Sequence, residues 1–170
     1  VRVSPARAVY WNLGATRNLG AEIGADLRQT VRFAGATLRT RLDASWAFLH
    51  GRDTSDDVRY QGNALPFAPL STGQIRTSAA RDLPLRWLTA VETSAGWRWR
   101  AGHFADRAAT IVIPPMQTLT ASVNLRLGAG LSCGFDVESV VGSGAFDVLG
   151  FPRPTRMLLA RCGVSSWGQR

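Results

Sequence analysis

Residues 85–102 alternate between apolar and polar side chains, and this alternation constrains the fold more than any other feature of the chain. A period of two predicts a β-strand with one apolar face, because a helix over these residues would mix apolar and charged side chains on each side. From Trp87 to Trp97 such a strand, tilted by about 40°, rises roughly 25 Å. Tryptophans at both ends of a span of that height are typical of a strand that crosses an outer membrane. The apolar set is Trp87, Thr89, Val91, Thr93, Ala95, Trp97 and Trp99.

The same alternation recurs along the chain and predicts an all-β protein, an antiparallel meander of about eight transmembrane strands, with no helix. The predicted strands are Val3–Trp11, Leu19–Gln29, Leu38–His50, Gln74–Arg81, 85–102, Thr118–Leu127, Leu131–Val141 and Thr155–Val164. Short connections near 31–36, 82–84 and 127–130 alternate with long ones at 50–71, 102–117 and 142–154. Outer-membrane barrels show this asymmetry, with short periplasmic turns and long extracellular loops. A soluble sandwich or lipocalin also has alternating strands, but the tryptophans and the loop lengths favour the membrane.

The chain carries a net charge of +8, and every basic side chain other than the two histidines is arginine. These arginines are spread singly over many strands and share a parity with acidic residues, so they predict one polar wall rather than a nucleic-acid-binding stripe. That wall must face water or protein, because a charge facing lipid at mid-depth costs about 2–4 kcal/mol. The predicted lumen-facing residues are Glu22, Asp26, Arg39, Arg41, Asp43, Glu92, Arg98, Arg100, Asn124, Arg126, Asp136, Glu138 and Arg161. The predicted aromatic girdle is Trp46, Trp87, Trp97 and Trp99.

No catalytic, metal or cofactor site is predicted. His50 and His103 lie at strand ends that lead into long connections, and the sequence shows no partners that would converge on either of them. We therefore expect two solvent-exposed loop histidines. Gly14, Gly20 and Gly24 lack the strand–turn–helix context of a nucleotide loop and are interpreted as turn and close-approach glycines.

Three motifs resemble the β-barrel of TonB-dependent receptors. Asn12-Leu13-Gly14-Ala15-Thr16-Arg17-Asn18-Leu19-Gly20-Ala21-Glu22-Ile23 is similar to the family pattern N-x-G-x-(A/S)-R-x-x-G-x-E-aliphatic, with Thr16 as the departure. Residues 62–69 are similar to its G-x-x-L-P-x-x-P loop, and residues 146–156 to its last long loop. The family usually ends on an aromatic residue, whereas here Gly168, Gln169 and Arg170 follow Trp167.

The resemblance implies that residues 1–170 are the C-terminal segment of a large barrel of about 22 strands, without the N-terminal plug and the signal peptide. It implies an outer-membrane receptor for uptake of a siderophore–iron, cobalamin or glycan ligand, energised by TonB through the plug. Lipid, the plug and the ligand would be its partners, with the C-terminus in the periplasm. The alternative is a self-contained eight-stranded barrel, serving in adhesion or lipid modification, in which Val3–Trp11 pairs with Thr155–Val164.

The two cysteines lie in the last two predicted strands. If Val141 pairs with Pro154, then Cys133 falls opposite Cys162, and both lie on the apolar parity. The sequence predicts a contact between them, and an oxidising periplasm permits a disulfide.

Overall fold

The main element of the structure is an antiparallel sheet of seven strands, each paired with its neighbour along the chain. The structure is a computed structural model that describes residues 14–33, 36–141, 146–148, 151–152 and 154–164. The sheet consists of β1 (Thr16–Phe33), β2 (Ala36–Asp53), β3 (Ser71–Asp82), β4 (Leu88–Arg100), β7 (Met116–Leu127), β8 (Leu131–Val141) and β11 (Arg156–Val164). Two short pairs accompany it, β5 (His103–Phe104) with β6 (Val112–Ile113), and β9 (Phe146–Val148) with β10 (Phe151–Pro152).

The predicted all-β meander is therefore confirmed in the described part of the chain. β8 has the predicted bounds, and six further predicted strands correspond to β1, β2, β3, β4, β7 and β11. The predicted strand Val3–Trp11 lies outside the described residues. Those residues form an open sheet with β1 and β11 at its edges, and no closed barrel is found among them.

The loop lengths alternate as predicted. One end of the sheet carries the short connections, including the 3-10 turn Gly128–Gly130, where Ala129 and Gly130 have φ of 59° and 75°. Positive φ at two consecutive positions reverses the chain tightly, and glycine adopts it at little cost. The other end carries the long connections between β2 and β3, β4 and β7, and β8 and β11. In an antiparallel meander every second connection lies at the same end, so chain order alone separates the two sets.

The register places the apolar parity of all seven strands on one face of the sheet. Cross-strand pairs on this face include Ile23 with Trp46, Val123 with Phe135, and Leu125 with Cys133. This face is uncovered: Ile23 is 66% exposed and Phe135 is 54% exposed. Among the described residues only two hydrophobic side chains, Ala90 and Ile113, are buried. Because a folded sheet ordinarily buries its apolar face against a second layer, this single layer requires an apolar environment or partner.

One part of the predicted alternation is wrong. The pairing of β4 with β7 shifts between Leu88 and Ala90, so that Leu88 pairs with Leu127 and Ala90 with Arg126. A bulge of this kind adds one residue to a strand and reverses the parity beyond it. The apolar parity predicted through Thr89 therefore ends at Val91, and Trp87 lies just before β4 with its side chain 67% exposed.

Candidate functional site

The polar face of the sheet brings together all thirteen residues of the predicted polar wall. Cross-strand pairing links Asp26 to Asp43, Arg28 to Arg41, and Glu92 to Asn124, and the same parity continues across every strand. The alternation alone was sufficient to find this set, because a one-residue change of register would have moved a whole strand to the other face.

Most of these charges form ion pairs, either within a strand or between strands. Asp26 accepts hydrogen bonds from Arg28 Nε and Arg41 Nε, both at 2.8 Å. Arg161 lies 3.4 Å from Asp136 and donates to Asn124 Oδ1 at 3.1 Å. Exposed pairs of this kind contribute little to stability, so their main effect is to set a balanced charge pattern on this face. Further ion pairs join Arg39 to Asp82, Arg41 to Asp43, and Arg98 to Glu138.

A groove of about 420 Å³ runs along the centre of this face, across β3, β4, β7, β8 and β11. Hydroxyl groups form its floor, where Ser94 and Ser122 share a hydrogen bond of 2.7 Å and Thr118 is buried. Arg76, Arg98 and Arg161 line the same groove. Met157 and Leu159 also line the groove, so it presents hydrogen-bonding groups beside an apolar patch.

Three of the four predicted girdle tryptophans cluster at the long-loop end of the apolar face. Gly73 pairs with Trp46 on one side and Trp99 on the other, and the Trp99 indole occupies the space that a side chain at Gly73 would need. The rings of Trp97 and Trp99 lie 4.7 Å apart. The indole N–H of Trp46 donates to Ser71 Oγ at 2.7 Å, and that of Trp97 donates to Gln117 Oε1 at 3.1 Å. Trp87 lies at the opposite end.

The long loops 54–70 and 101–115 are joined at Asp53, the last residue of β2, whose side chain is 1% exposed. Asp53 accepts hydrogen bonds from Arg107 Nε at 2.6 Å and from Ser55 Oγ and N at 2.5 and 2.9 Å. The Arg107 guanidinium lies over the Tyr60 ring at 4.5 Å, and Asn63 Nδ2 donates to the Arg107 carbonyl. We call Asp53, Ser55, Tyr60, Asn63 and Arg107 the loop clasp. The backbone of loop 54–70 runs alongside the end of β2, where Asp53 N donates to the Asn63 carbonyl and Leu65 N to the Gly51 carbonyl, so the clasp lies at the long-loop end of the sheet.

The clasp also sets the charge state of its carboxylate. β3 begins opposite Phe48, so residues 49–53 of β2 extend beyond the seven-stranded sheet. The hydrogen bond from Arg107, reinforced by those from Ser55, holds the pKa of Asp53 well below its usual range. In loop 101–115, backbone hydrogen bonds, the largest from Ile111, lower the pKa of Asp106. Both carboxylates are therefore ionised at neutral pH. Sequence reasoning missed the clasp, because its members lie in loops without periodicity.

The two histidines differ from the expectation of exposed loop residues. His103 is buried, with 7% exposure, and begins the short strand β5 beside the buried Ile113 of β6. His50 is half-buried and accepts a hydrogen bond from Arg52 Nε at 3.1 Å. The expectation was wrong because β2 continues past His50 to Asp53, and because loop 54–70 packs against β5, where Phe67 N donates to the Phe104 carbonyl at 2.8 Å. The described residues contain no group of three or more His, Cys, Asp or Glu side chains that could hold a metal ion.

Cys133 and Cys162 are directly opposed in β8 and β11 and are joined by a disulfide, with their Cα atoms 4.2 Å apart. This is the register predicted from the connection between Val141 and Pro154. The disulfide lies on the apolar face and fastens the last hairpin.

Comparison of the chain with protein-family models, curated proteins and solved structures finds no match. Over the described residues, no helix is long and apolar enough to cross a membrane.

Proposed function

We propose that this chain forms part of the wall of an outer-membrane β-barrel that belongs to a TonB-dependent receptor for nutrient uptake. The observation that carries the proposal is the continuous, uncovered apolar face of a single-layer sheet, bordered by tryptophans at its long-loop end. In water such a face would be a large aggregation-prone patch, whereas lipid satisfies it. Between Leu38 and Phe48 the face rises roughly 25 Å, the height of the apolar band of such barrels.

The hydrogen bonds of the Trp46 and Trp97 indoles are also consistent with a membrane environment. Tryptophan favours membrane interfaces because its ring prefers the apolar side while its N–H needs a polar partner. Trp46 and Trp97 satisfy this requirement through Ser71 and Gln117 at the long-loop end of the strands. The polar face, with its ion pairs and hydroxyl-lined groove, would then line the lumen or contact a plug.

The receptor part of the proposal is supported by the resemblance of residues 12–23, 62–69 and 146–156 to TonB-dependent receptors. The loop clasp adds a structural reason, because it fixes two long loops to each other at the long-loop end of the sheet. Preorganised loops bind a ligand at lower entropic cost than mobile ones. The ligand would belong to the siderophore–iron, cobalamin or glycan class.

Cysteine scanning of the full-length gene product in bacterial outer membranes tests the barrel. The matched pairs are Val91→Cys with Glu92→Cys, and Val123→Cys with Asn124→Cys, since neighbours in a strand face opposite sides. A lipid-soluble maleimide should label positions 91 and 123, and a water-soluble maleimide should label 92 and 124. Lipid-soluble labelling at 92 but not at 91 would overturn the orientation.

A growth experiment tests the transport step. Deleting the gene should impair growth when iron, cobalamin or a glycan is limiting. In a strain that already lacks tonB, deleting the gene should add no further defect on that nutrient, because the uptake route is already without energy. Additive defects would contradict TonB-dependent transport while leaving the barrel assignment intact.

A further inference from the structure

Beyond the level of the girdle tryptophans Trp46, Trp97 and Trp99, the apolar face of β1 and β2 carries basic residues. The two strands continue as a projection past the point where β3 begins, opposite Phe48. On this projection the parity of the apolar face carries His50, opposite Leu19, and then Arg17, opposite Arg52. The lipid-facing side of the proposed barrel thus passes from tryptophan and phenylalanine to a pair of arginines at its long-loop end.

Two like charges directly opposed on one face destabilise a strand pair unless an anion lies between them. Arg17 is exposed, and no described side chain lies within hydrogen-bonding or ion-pair distance of it. The neighbouring acid, Asp53, lies on the opposite parity and is committed to Arg107. Two positive charges on the outward side are therefore left without a counter-ion from the described residues.

Arg52 is held in position rather than freely extended. Its Nη1 donates to the Gly62 carbonyl at 2.8 Å and its Nε donates to His50 Nε2 at 3.1 Å. Guanidinium groups carry five N–H donors, so donors remain for an external acceptor. A guanidinium fixed in advance loses less entropy when it binds a phosphate in bidentate geometry.

We propose that Arg17 and Arg52 bind the phosphate of a membrane-lipid headgroup in the outer leaflet. This inference rests on the proposed membrane location. From Phe48 to Arg52 the strand rises about 10 Å, and the polar region of a bilayer extends roughly 5–8 Å beyond the hydrocarbon on each side. Arginine side chains reach back along the surface by several Å, which brings both guanidinium groups to the level of the phosphates.

Native mass spectrometry of the full-length protein in mild detergent tests this site, with phosphatidic acid as the probe. The test variant is Arg17→Gln with Arg52→Gln. The matched control is Arg32→Gln with Arg76→Gln, which removes the same charge from the polar face. We expect the affinity for phosphatidic acid to fall about thirtyfold in the test variant, at about 1 kcal/mol for each arginine, and to change little in the control.

Diacylglycerol and inorganic phosphate provide the other two arms. Diacylglycerol, which lacks phosphate, should bind wild type and test variant equally. An equal loss of affinity for phosphatidic acid in the test and control variants would overturn the inference. Full displacement of phosphatidic acid by inorganic phosphate at a similar concentration would also overturn it, because that would indicate a site for soluble anions. Failure of the membrane proposal is seen separately, as water-soluble labelling on both faces in the cysteine scan.

Discussion

The carboxylate of Asp53 joins the two long loops. Because this carboxylate is buried, the contact depends on each hydrogen bond that Arg107 and Ser55 donate to it. Arg107 supplies the hydrogen bond at 2.6 Å and also stacks on Tyr60, so Arg107→Gln removes both contacts. A buried carboxylate that loses its charged partner is costly to leave unsatisfied. We expect cleavage within residues 54–70 by an added protease to become about tenfold faster. The control is Arg59→Gln, whose exposed side chain pairs with the half-buried Asp57 and lies farther from the Tyr60 ring, at 5.3 Å, and which should change cleavage little. Equal rates in the two variants would contradict the clasp.

The clasp should also respond to pH. Because the pKa of Asp53 is lowered in the folded protein, its contribution is complete above the ordinary aspartate pKa of about 4. The contribution is lost as the pH falls through the lowered folded value, so the loops should loosen only in strong acid. Loop cleavage by an acid-stable protease, followed from pH 6 to pH 2, measures this. Asp106 and Asp57 also have lowered pKa values, so their effects must be subtracted. The quantity to follow is the difference in cleavage rate between the wild type and Asp53→Asn, and this difference should not change with pH above about pH 4.

Gly73 leaves room for the indole ring of Trp99, one of the girdle tryptophans. A Cβ at this position would overlap the Trp99 indole, so Gly73→Ala should displace the ring and destabilise the protein by about 1–3 kcal/mol. The displaced indole should also shift the tryptophan emission. In Gly163→Ala the added Cβ meets Ser132 Oγ at 3.8 Å, an ordinary contact, so this control should unfold like the wild type. Unchanged emission and stability in Gly73→Ala would contradict the ring position.

The sequence predicted the strands and their pairing more completely than it predicted the structure of the loops. β8 and the opposed cysteines follow from a strict period of two and one loop length, so each residue constrains its neighbours. The bulge near Leu88 was missed because one additional residue leaves the composition of the strand unchanged. The outermost ends of β1 and β2, residues 16–18 and 51–53, were missed because they carry no apolar side chain on either face. The clasp and the burial of His103 depend on contacts between loops far apart in the chain, which no local pattern encodes.

The last hairpin provides a test at this scale. β8 and β11 are joined through a long connection, and the Cys133–Cys162 disulfide closes that loop. Replacing both cysteines by serine should lower the free energy of unfolding by about 3–4 kcal/mol, the order expected for a loop of this length. Alkylation of the denatured protein without reductant should leave the mass of the wild type unchanged. Two alkylated thiols would show that the bond is absent, although the opposed register would still stand.

For the whole molecule, the two edge strands of the sheet, β1 and β11, distinguish a segment of a large barrel from a complete small barrel. The described sheet is open, and unpaired backbone groups on β1 and β11 are not tolerated in lipid. A self-contained barrel would require the predicted strand Val3–Trp11, outside the described residues, to pair with β11. A large receptor barrel instead supplies neighbours from the rest of its own chain.

We therefore expect the 170-residue chain, expressed alone and refolded in detergent, to lack a heat-modifiable, protease-resistant form. Closure is what gives outer-membrane barrels that resistance, because every strand then has two neighbours and no edge is available for pairing between chains. The isolated sheet should associate through β1 and β11 and remain open to protease. If the chain is a segment of a receptor, the complete receptor refolded in the same detergent should show both properties. A compact, heat-modifiable monomer of the short chain would instead indicate an eight-stranded barrel closed on itself, and the receptor proposal would then lose its structural basis.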